Sequence, residues 1–183
     1  MDTVRAVGID TSNLCLEMFS LNTEEERFAR EMLGTADGEF TVGLNLGAAN
    51  RQRCWPVEKF ADLGRIIRKE LACRVWVNSS PSEADLRDRF LLRCGRDGFV
   101  YSPEMTVTQL GALVRSCNVL VSNDTGTMHM GIAAGVPTIG LFGPNDPKDF
   151  CPLVRRPFIG LKGYPMENIG VGEVFEAVKR LAA

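Results

Sequence analysis

Apolar residues recur along most of this chain in two alternating patterns, short continuous runs and longer stretches with helical spacing. The runs predict strands, at 40–47, 74–78, 98–102, 118–122, 138–143 and 158–161. Helical spacing and start signals predict helices beginning at Pro56 and covering 80–94, 106–117, 126–134 and 171–181. Because strands and helices alternate and the strands are continuously apolar, we expect an α/β fold, with a parallel sheet covered by helices on both faces.

Capping patterns indicate where several helices begin. Thr23-Glu24-Glu25-Glu26 predicts a short helix that Thr23 caps, with Glu26 as its capping-box partner and an end at Gly34. Ser80 with Glu83, and Thr106 with Gln109, predict the same box at two later helices. The first 35 residues lack the regular alternation that follows. We therefore predict two segments, 1–35 with its short helix and a domain over 36–183.

Composition restricts the classes of partner. The net charge of −2 offers no basic field for nucleic acid or an anionic membrane. No apolar run is long enough to span a bilayer, and the N-terminus lacks the order of a signal peptide. The 6 cysteines have no metal-ligand or C-x-x-C spacing, so we expect free thiols and a cytoplasmic protein.

A cluster of small polar residues follows the fourth predicted strand. The segment Ser122-Asn-Asp-Thr-Gly-Thr-Met-His-Met130 holds the only histidine of the chain. Ligands of parallel sheets bind beyond the carboxyl ends of the strands, where helix N-termini point. A helix start at Thr125 and Gly126 would offer N–H groups and a positive dipole end to phosphate. Asp124 would accept hydrogen bonds from hydroxyl groups or from the backbone. His129, one turn further on, could donate to a phosphate or orient a neighbouring group. Ordinary capping and a core histidine account for the same residues taken singly.

Three further residues are candidates for this site. Arg53 lies in the loop after the first strand, where a guanidinium could pair with a diphosphate or could be solvated. Glu83 has a structural role in its capping box, and Met105 has one as core filler. The dinucleotide fingerprint, the phosphate-binding P-loop and the hydrolase elbow are all absent from the sequence, and a single histidine argues against zinc.

Several of these segments together resemble glycosyltransferase family 9, which includes the ADP-heptose:lipopolysaccharide heptosyltransferases. The resemblance covers 40–182 and rests on Asp124-Thr-Gly-x-x-His129, "LFGPNDP" (141–147) and "VGLNLGAANRQRCWPVEKFADL" (42–63). It implies a GT-B architecture, of which this chain is the C-terminal half. Residues 36–183 would then be the Rossmann-like domain that binds the nucleotide-sugar donor. Residues 1–35 would be the end of the acceptor domain and the linker.

The resemblance also implies roles for individual residues. Arg53 falls where the family has a lysine beside the donor phosphates, and Glu83 falls near a carboxylate that holds the ribose. Met105 matches a residue of the base pocket. The residues around the diphosphate and sugar would be Asp124, Thr125, Gly126 and His129. The chain departs from the family at Ala48 and Ala49, where hydroxyl side chains are frequent, and at Ser79 and Ser80, where a Gly-Gly pair is common.

The function implied is binding of a nucleotide sugar, ADP-heptose in the first place, for inverting transfer to a lipopolysaccharide core. No tightly bound cofactor is expected, although Mg²⁺ could accompany the diphosphate. The family's general base lies in the domain missing here, so no catalytic residue is expected in this chain, and the acceptor with its membrane contact would be reached through that domain. Two alternatives stay open: a non-catalytic nucleotide-binding module of the same fold, and a donor domain for a UDP-linked sugar.

Overall fold

The computed structural model describes residues 20–34, 39–150 and 157–183. Most of the predicted segment 1–35 therefore lies outside the described residues. The strands are β1 (Thr41–Asn45), β2 (Arg74–Asn78), β3 (Phe99–Tyr101), β4 (Val119–Asn123), β5 (Thr138–Phe142) and β6 (Phe158–Lys162). The helices are α1 (Thr23–Leu33), α2 (Val57–Leu71), α3 (Ala84–Cys94), α4 (Val107–Arg115), α5 (Gly126–Ala133), α6 (Pro147–Phe150) and α7 (Val171–Ala182).

The six strands form one parallel sheet in the order β3-β2-β1-β4-β5-β6. The chain runs outward from β1 through β2 to β3 and then returns to lay β4 against the other side of β1. The strand order thus reverses between β1 and β4. The alternating pattern predicted this parallel α/β sheet, and the family resemblance implied its Rossmann-like arrangement. The reversal leaves a crevice at the carboxyl ends of these two strands.

Helices cover both faces of the sheet, as predicted. On one face, α2, α3 and α7 bury an apolar cluster against β1, β2, β4 and β5, in which Phe60, Phe90 and Val178 are fully buried. On the other face, α1 and α4 pack against Trp76 and Leu120, and α5 packs against Phe142. Successive strand residues alternate between the two covered faces, which explains why the middle positions of the strands are mainly apolar.

The first helix packs against the domain that follows it. Ala29 and Leu33 of α1 are fully buried in the cluster that α4 also enters, and Glu26 forms an ion pair with Arg115. A domain boundary at residue 35 stays a prediction. The packing nevertheless means that α1 contributes to the stability of the domain over 36–183.

Most element ends differ from the sequence prediction by one or two residues. The helix predicted over 80–94 begins with a 3-10 turn (Pro81–Glu83) and is α-helical from Ala84, and the short α6 was not predicted. One capping prediction is wrong. The capping box of α1 consists of Asn22 and Glu25 rather than Thr23 and Glu26. Asn22 is the better cap because it keeps extended backbone geometry while its carbonyl accepts the first helical hydrogen bond. The boxes predicted for Ser80 with Glu83 and for Thr106 with Gln109 are confirmed.

Four cysteines of the described residues are free thiols: Cys54, Cys73, Cys94 and Cys117. Burial raises the pKa of the Cys73 and Cys94 thiols to about 11 and raises the pKa of the other two. These four thiols are therefore protonated at neutral pH, which disfavours their use as nucleophiles. No helix within the described ranges has both the length and the apolarity required to cross a bilayer.

Candidate functional site

A cavity of about 390 Å³ opens at the carboxyl edge of the sheet, at the point where the strand order reverses. The loop after β1 lines it with Gly47, Ala48 and Ala49. The segments after β2, β3 and β4 contribute the other walls, including Ser79–Glu83, Met105–Val107, Thr125 and Thr127. The carboxyl edge of the sheet, where the sequence pattern predicted ligand binding, thus holds an open crevice rather than packed side chains.

A row of buried polar side chains forms the floor of this cavity. The strand register places Asn78, Asn45 and Ser122 side by side at the ends of β2, β1 and β4. Asn78 Nδ2 donates to Asn45 Oδ1 at 2.7 Å, and Asn45 Nδ2 donates to Ser122 Oγ at 3.2 Å and Thr125 Oγ1 at 3.4 Å. Because buried polar groups are costly unless they are paired, this row fixes the relative positions of three site loops.

The carboxylate of Asp124 is engaged by two loops on either side of it. The Asp124 side chain is only 3% exposed, and its Oδ2 lies 3.5 Å from Arg53 Nη1. Asn145, in the "FGPND" loop after β5, donates its side-chain amide to the same oxygen. Arg53 Nε is buried and has no hydrogen-bond partner among the described residues. Asp124 therefore ties the Arg53 loop to the Asn145 loop at the edge of the crevice.

The N-terminus of α5 lacks a side-chain cap. Thr125 occupies the N-cap position with extended backbone (φ −145°, ψ 173°), but its hydroxyl makes no capping hydrogen bond. It lies instead near Asn45 and Ser122 of the polar row. A Cβ added to Gly126 would meet no atom within 4 Å. The start of α5 therefore has no side-chain cap and has free space beside Gly126, which suits the binding of an anion.

Glu83 lies directly over the loop that follows β1. Its Oε2 accepts hydrogen bonds from the backbone N–H of Ser80 at 3.0 Å and from the Ser80 hydroxyl at 2.7 Å. A Cβ on Gly47 would come within 2.0–2.2 Å of the Glu83 carboxyl group. Glycine at position 47 thus permits the carboxylate to rest against the loop and line the cavity.

The seven predicted site residues differ in where they lie relative to the cavity. Glu83, Met105 and Thr125 line the cavity, whereas Arg53 and Asp124 form an ion pair beside it. Gly126 lies between two cavity-lining threonines. His129 is half-buried one turn further along α5 and is not among the described residues that line the cavity.

Four residues that sequence reasoning missed also shape the site: Asn45, Asn123, Thr127 and Asn145. Asn45 and Asn123 end β1 and β4, and both are at least 96% buried. A polar residue at the end of an otherwise apolar strand is the signal that could have pointed to them. Thr127 lines the cavity from the first turn of α5.

The carboxylates of the site are not arranged to hold a metal ion. Within 20–34, 39–150 and 157–183, no three His, Cys, Asp or Glu side chains are grouped closely enough for coordination. Glu83 and Asp124 are each engaged by donors of the protein. Mg²⁺ that accompanies a nucleoside diphosphate is bound largely by the phosphates themselves, so Mg²⁺ with the donor stays a prediction.

The sequence model of glycosyltransferase family 9 (heptosyltransferase) matches residues 7–169. The chain belongs to glycosyltransferase family 9. The resemblance found in the sequence is thereby confirmed, and the match begins before the predicted boundary at residue 35. The cavity, the Arg53 loop and α5 all lie within the matched range.

Curated relatives in family 9 are lipopolysaccharide heptosyltransferases. The chain is 28% identical over 138 residues to lipopolysaccharide heptosyltransferase 2 of Escherichia coli, covering 73% of this chain and 35% of the relative. It is 27% identical over 147 residues to the enzyme of the same name from Salmonella typhimurium, covering 78% and 38%. The chain therefore spans little more than a third of the length of these relatives.

Solved structures of the family share the fold. A family 9 glycosyltransferase from Veillonella parvula matches with a TM-score of 0.87 at 23% identity, covering 99% of this chain and 58% of that protein. E. coli ADP-heptose lipopolysaccharide heptosyltransferase II matches with a TM-score of 0.82 at 19% identity, covering 97% and 56%. The sheet with its helices thus corresponds to about half of a GT-B enzyme of this family.

Proposed function

We propose that this chain is a donor-binding domain that binds a nucleotide sugar, with ADP-heptose as the favoured candidate. The observation that carries the proposal is the uncapped N-terminus of α5, open to the cavity at the reversal of strand order. Amides of a helix N-terminus bind phosphate oxygens well, and the Arg53 guanidinium in the neighbouring loop would add positive charge. A diphosphate placed there would contact Thr125, Gly126 and Thr127.

The rest of the cavity suits a nucleoside. Glu83 offers carboxylate oxygens to ribose hydroxyls, and Met105, Val107 and Leu110 form an apolar wall for a base. An adenine nucleotide is favoured because an E. coli heptosyltransferase has been solved with ADP and with ADP-2-deoxy-2-fluoro heptose, at TM-scores of 0.67 and 0.69 to this chain. At 18% identity these structures support the fold, and the choice of base is our proposal.

The proposed reaction transfers the sugar to an acceptor hydroxyl with inversion, and the nucleoside diphosphate leaves. Negative charge grows on the diphosphate as the sugar–oxygen bond breaks, and the α5 amides with Arg53 would stabilise that charge. Deprotonation of the acceptor requires a general base. The family resemblance assigns that base, together with the contacts to a lipid A core, to a domain outside this chain. We accordingly infer that the chain alone binds donor, transfers little or no sugar, and acts in the cytoplasm as part of a longer enzyme.

Isothermal calorimetry with ADP, UDP and ADP-heptose tests the proposal. We expect ADP and ADP-heptose to bind and UDP to bind at least about tenfold more weakly. Asp124→Ala removes the carboxylate that holds both Arg53 and Asn145, so the Arg53 guanidinium loses its position beside the proposed diphosphate. ADP affinity should therefore fall by roughly tenfold or more, as expected for the loss of one charge-assisted hydrogen bond to the diphosphate. If none of the three ligands binds, the proposal is refuted.

Transfer is measured separately from binding. Purified chain of this length is incubated with ADP-heptose and a lipid A core acceptor, and ADP release is followed. Turnover at the rates of ordinary transferases would show that a base is present in this chain and would overturn the inference of inactivity. A complementing N-terminal domain added in trans is the positive control.

Two observations favour the alternatives. Ala48 and Ala49 line the cavity without polar side-chain atoms, so the grip on phosphate depends on α5 and Arg53, as in a non-catalytic nucleotide-binding module. A UDP-GlcNAc 2-epimerase of Methanocaldococcus jannaschii, solved with UDP-GlcNAc and UDP, shares the fold with a TM-score of 0.64 at 11% identity. Binding of ADP without transfer in the presence of the missing domain would favour the first alternative. Preference for UDP would favour the second.

Gly47→Ala is expected to weaken nucleoside binding and to lower the free energy of unfolding by only about 1 kcal/mol. The new Cβ would occupy the place of the Glu83 carboxyl group, which would swing away and give up its hydrogen bonds with Ser80. Affinity for adenosine and ADP should both fall, by about fivefold to tenfold, because the proposed ribose contact is lost. The measurement is calorimetry with both ligands beside a thermal melt. Unchanged adenosine affinity would place the ribose elsewhere.

A further inference from the structure

Asn123, the last residue of β4, holds both ends of the loop that carries Arg53. Its Nδ2 donates to the backbone carbonyl of Leu46 at 2.9 Å and lies 3.4 Å from that of Gly47. Its Oδ1 accepts the backbone N–H of Trp55 at 2.9 Å. One fully buried side chain thus fixes the start and the end of the loop from 46 to 55.

The loop between these two ends is short and otherwise held by local bonds. Residues Arg51–Arg53 form a 3-10 turn that Asn50 caps through its side chain. Arg53 lies two residues before Trp55, the position that Asn123 holds. The guanidinium then reaches Asp124, the residue directly after Asn123. The position of Arg53 therefore depends on Asn123 from one side and on Asp124 from the other.

We propose that Asn123 is a positioning residue for donor binding, acting through Arg53. This inference rests on the proposed function, since it concerns the binding of the same diphosphate. Asn123 lies outside the cavity, because it is 0% exposed and does not line the cavity walls. It therefore cannot touch a ligand, and its effect on binding passes through the loop that it holds. Asparagine suits the task because a single side chain must both donate to carbonyls and accept an N–H.

The chain supplies a matched control at the opposite end of the same strand. Asn118 lies directly before β4, and its Oδ1 accepts the backbone N–H of Thr41 at 2.8 Å. Asn118 and Asn123 thus make the same kind of contact between the segments around β4 and β1, at the amino and carboxyl edges of the sheet. A change at Asn118 alters the fold locally without reaching the Arg53 loop.

The decisive experiment is a double-mutant cycle on ADP affinity. Asn123→Ser and Asn123→Asp are each made in the natural sequence and in Arg53→Met, with Asn118→Ser and Asn118→Asp as controls. In the natural sequence, both changes at Asn123 should weaken ADP binding by about tenfold. In the Arg53→Met background, the same changes should alter ADP affinity by less than about twofold, because the group that they position is already gone. Adenosine, which lacks the diphosphate, should bind Arg53→Met as it binds the natural sequence. In the Asn123 variants it should weaken by less than about threefold, because only the cavity wall at Gly47 is affected.

Amide hydrogen exchange gives a second readout that needs no nucleotide. Exchange at Arg53, Cys54 and Trp55 should accelerate by about tenfold or more in Asn123→Ser and stay unchanged in Asn118→Ser. Equal losses of ADP affinity in both backgrounds, a parallel loss of adenosine binding, or unaltered exchange in this loop would each overturn the inference. If the unmodified chain binds no ADP, the proposed function fails, while the exchange experiment still decides whether Asn123 holds the loop.

Discussion

Replacing Gly126 with leucine is expected to reduce ADP affinity by about 100-fold or more while the protein keeps its fold and stability. The space over this residue is open, since an added Cβ meets no atom within 4 Å. A leucine side chain can therefore be accommodated by the protein, but it would occupy the volume in front of the α5 amides. Two charge-assisted hydrogen bonds lost from a diphosphate correspond to about 3–6 kcal/mol, so a factor of 100 is a conservative expectation.

Gly172→Leu is the matched control for this prediction. Gly172 lies in the first turn of α7, and a Cβ there also meets nothing within 4 Å. Both variants should melt at the temperature of the unmodified protein, and only Gly126→Leu should lose ADP. Calorimetry with ADP and adenosine separates the diphosphate from the nucleoside. Undiminished ADP binding by Gly126→Leu would mean that the diphosphate does not sit at the start of α5.

The sheet could be predicted from the sequence because its four central strands, β2, β1, β4 and β5, are buried almost throughout. These strands are mainly apolar runs, and the ambiguity lies in their exact ends. The edge strands β3 and β6 are more exposed. The order of the strands in the sheet could not be predicted in the same way. The reversal between β1 and β4 that creates the crevice depends on the register of distant strands. No local pattern in the sequence carries that information, and it entered the prediction only through the family resemblance.

The cap of α1 illustrates a limit of local patterns. Asn22 and Thr23 are both good capping residues, and Glu25 and Glu26 both stand at box spacing from one of them. Which of the two residues caps α1 depends on how the helix packs against the rest of the protein. Burying Ala29 and Leu33 against α4 fixes where the helix lies, and Asn22 is then the residue with extended backbone at its start.

The candidate site was likewise predictable only in part. Asp124 was predicted as a ligand of the donor, and in the structure its carboxylate joins Arg53 to Asn145, two residues that lie 92 positions apart. Glu83 was predicted both as a cap and as a ribose contact, and the cap is confirmed while its oxygens line the cavity. The residue types and the edge of the sheet were predictable. The division between residues that position and residues that face the cavity required three-dimensional contacts.

These contacts also explain how a site built on loops can be rigid. The loop after β1 is held by Asn123, the loop after β4 by the Asn45 row, and the loop after β5 by Asp124. Each of these holding groups is almost fully buried. Because buried hydrogen bonds are costly to leave unmade, the loops keep their positions before any ligand arrives. Such preorganisation favours the binding of a diphosphate, whose partners need not be rearranged.

Trp55→Ala is expected to lower the free energy of unfolding by about 3–5 kcal/mol and, in protein that remains folded, to weaken ADP binding by about tenfold. Trp55 is 1% exposed, and its ring packs edge-on against Phe60 with centroids 4.9 Å apart. Its indole N–H donates to the carbonyl of Ile169 at 3.1 Å, which joins the loop to the segment before α7. Removing the ring leaves a cavity in the core and frees the end of the loop that carries Arg53. Thermal melts should shift by roughly 10 °C or more.

Phe90→Ala separates the two effects. Phe90 of α3 is fully buried, and its ring packs edge-on against Phe99 with centroids 5.3 Å apart. The loss of stability should be similar, about 3–5 kcal/mol, because an aromatic ring leaves the core. ADP affinity should stay within about twofold because the aromatic partners of Phe90 lie in β3 rather than in a site loop. The comparison is made by calorimetry well below both melting temperatures. Equal weakening of ADP binding in the two variants would mean that general loosening of the core, rather than the loop anchored by Trp55, controls the site.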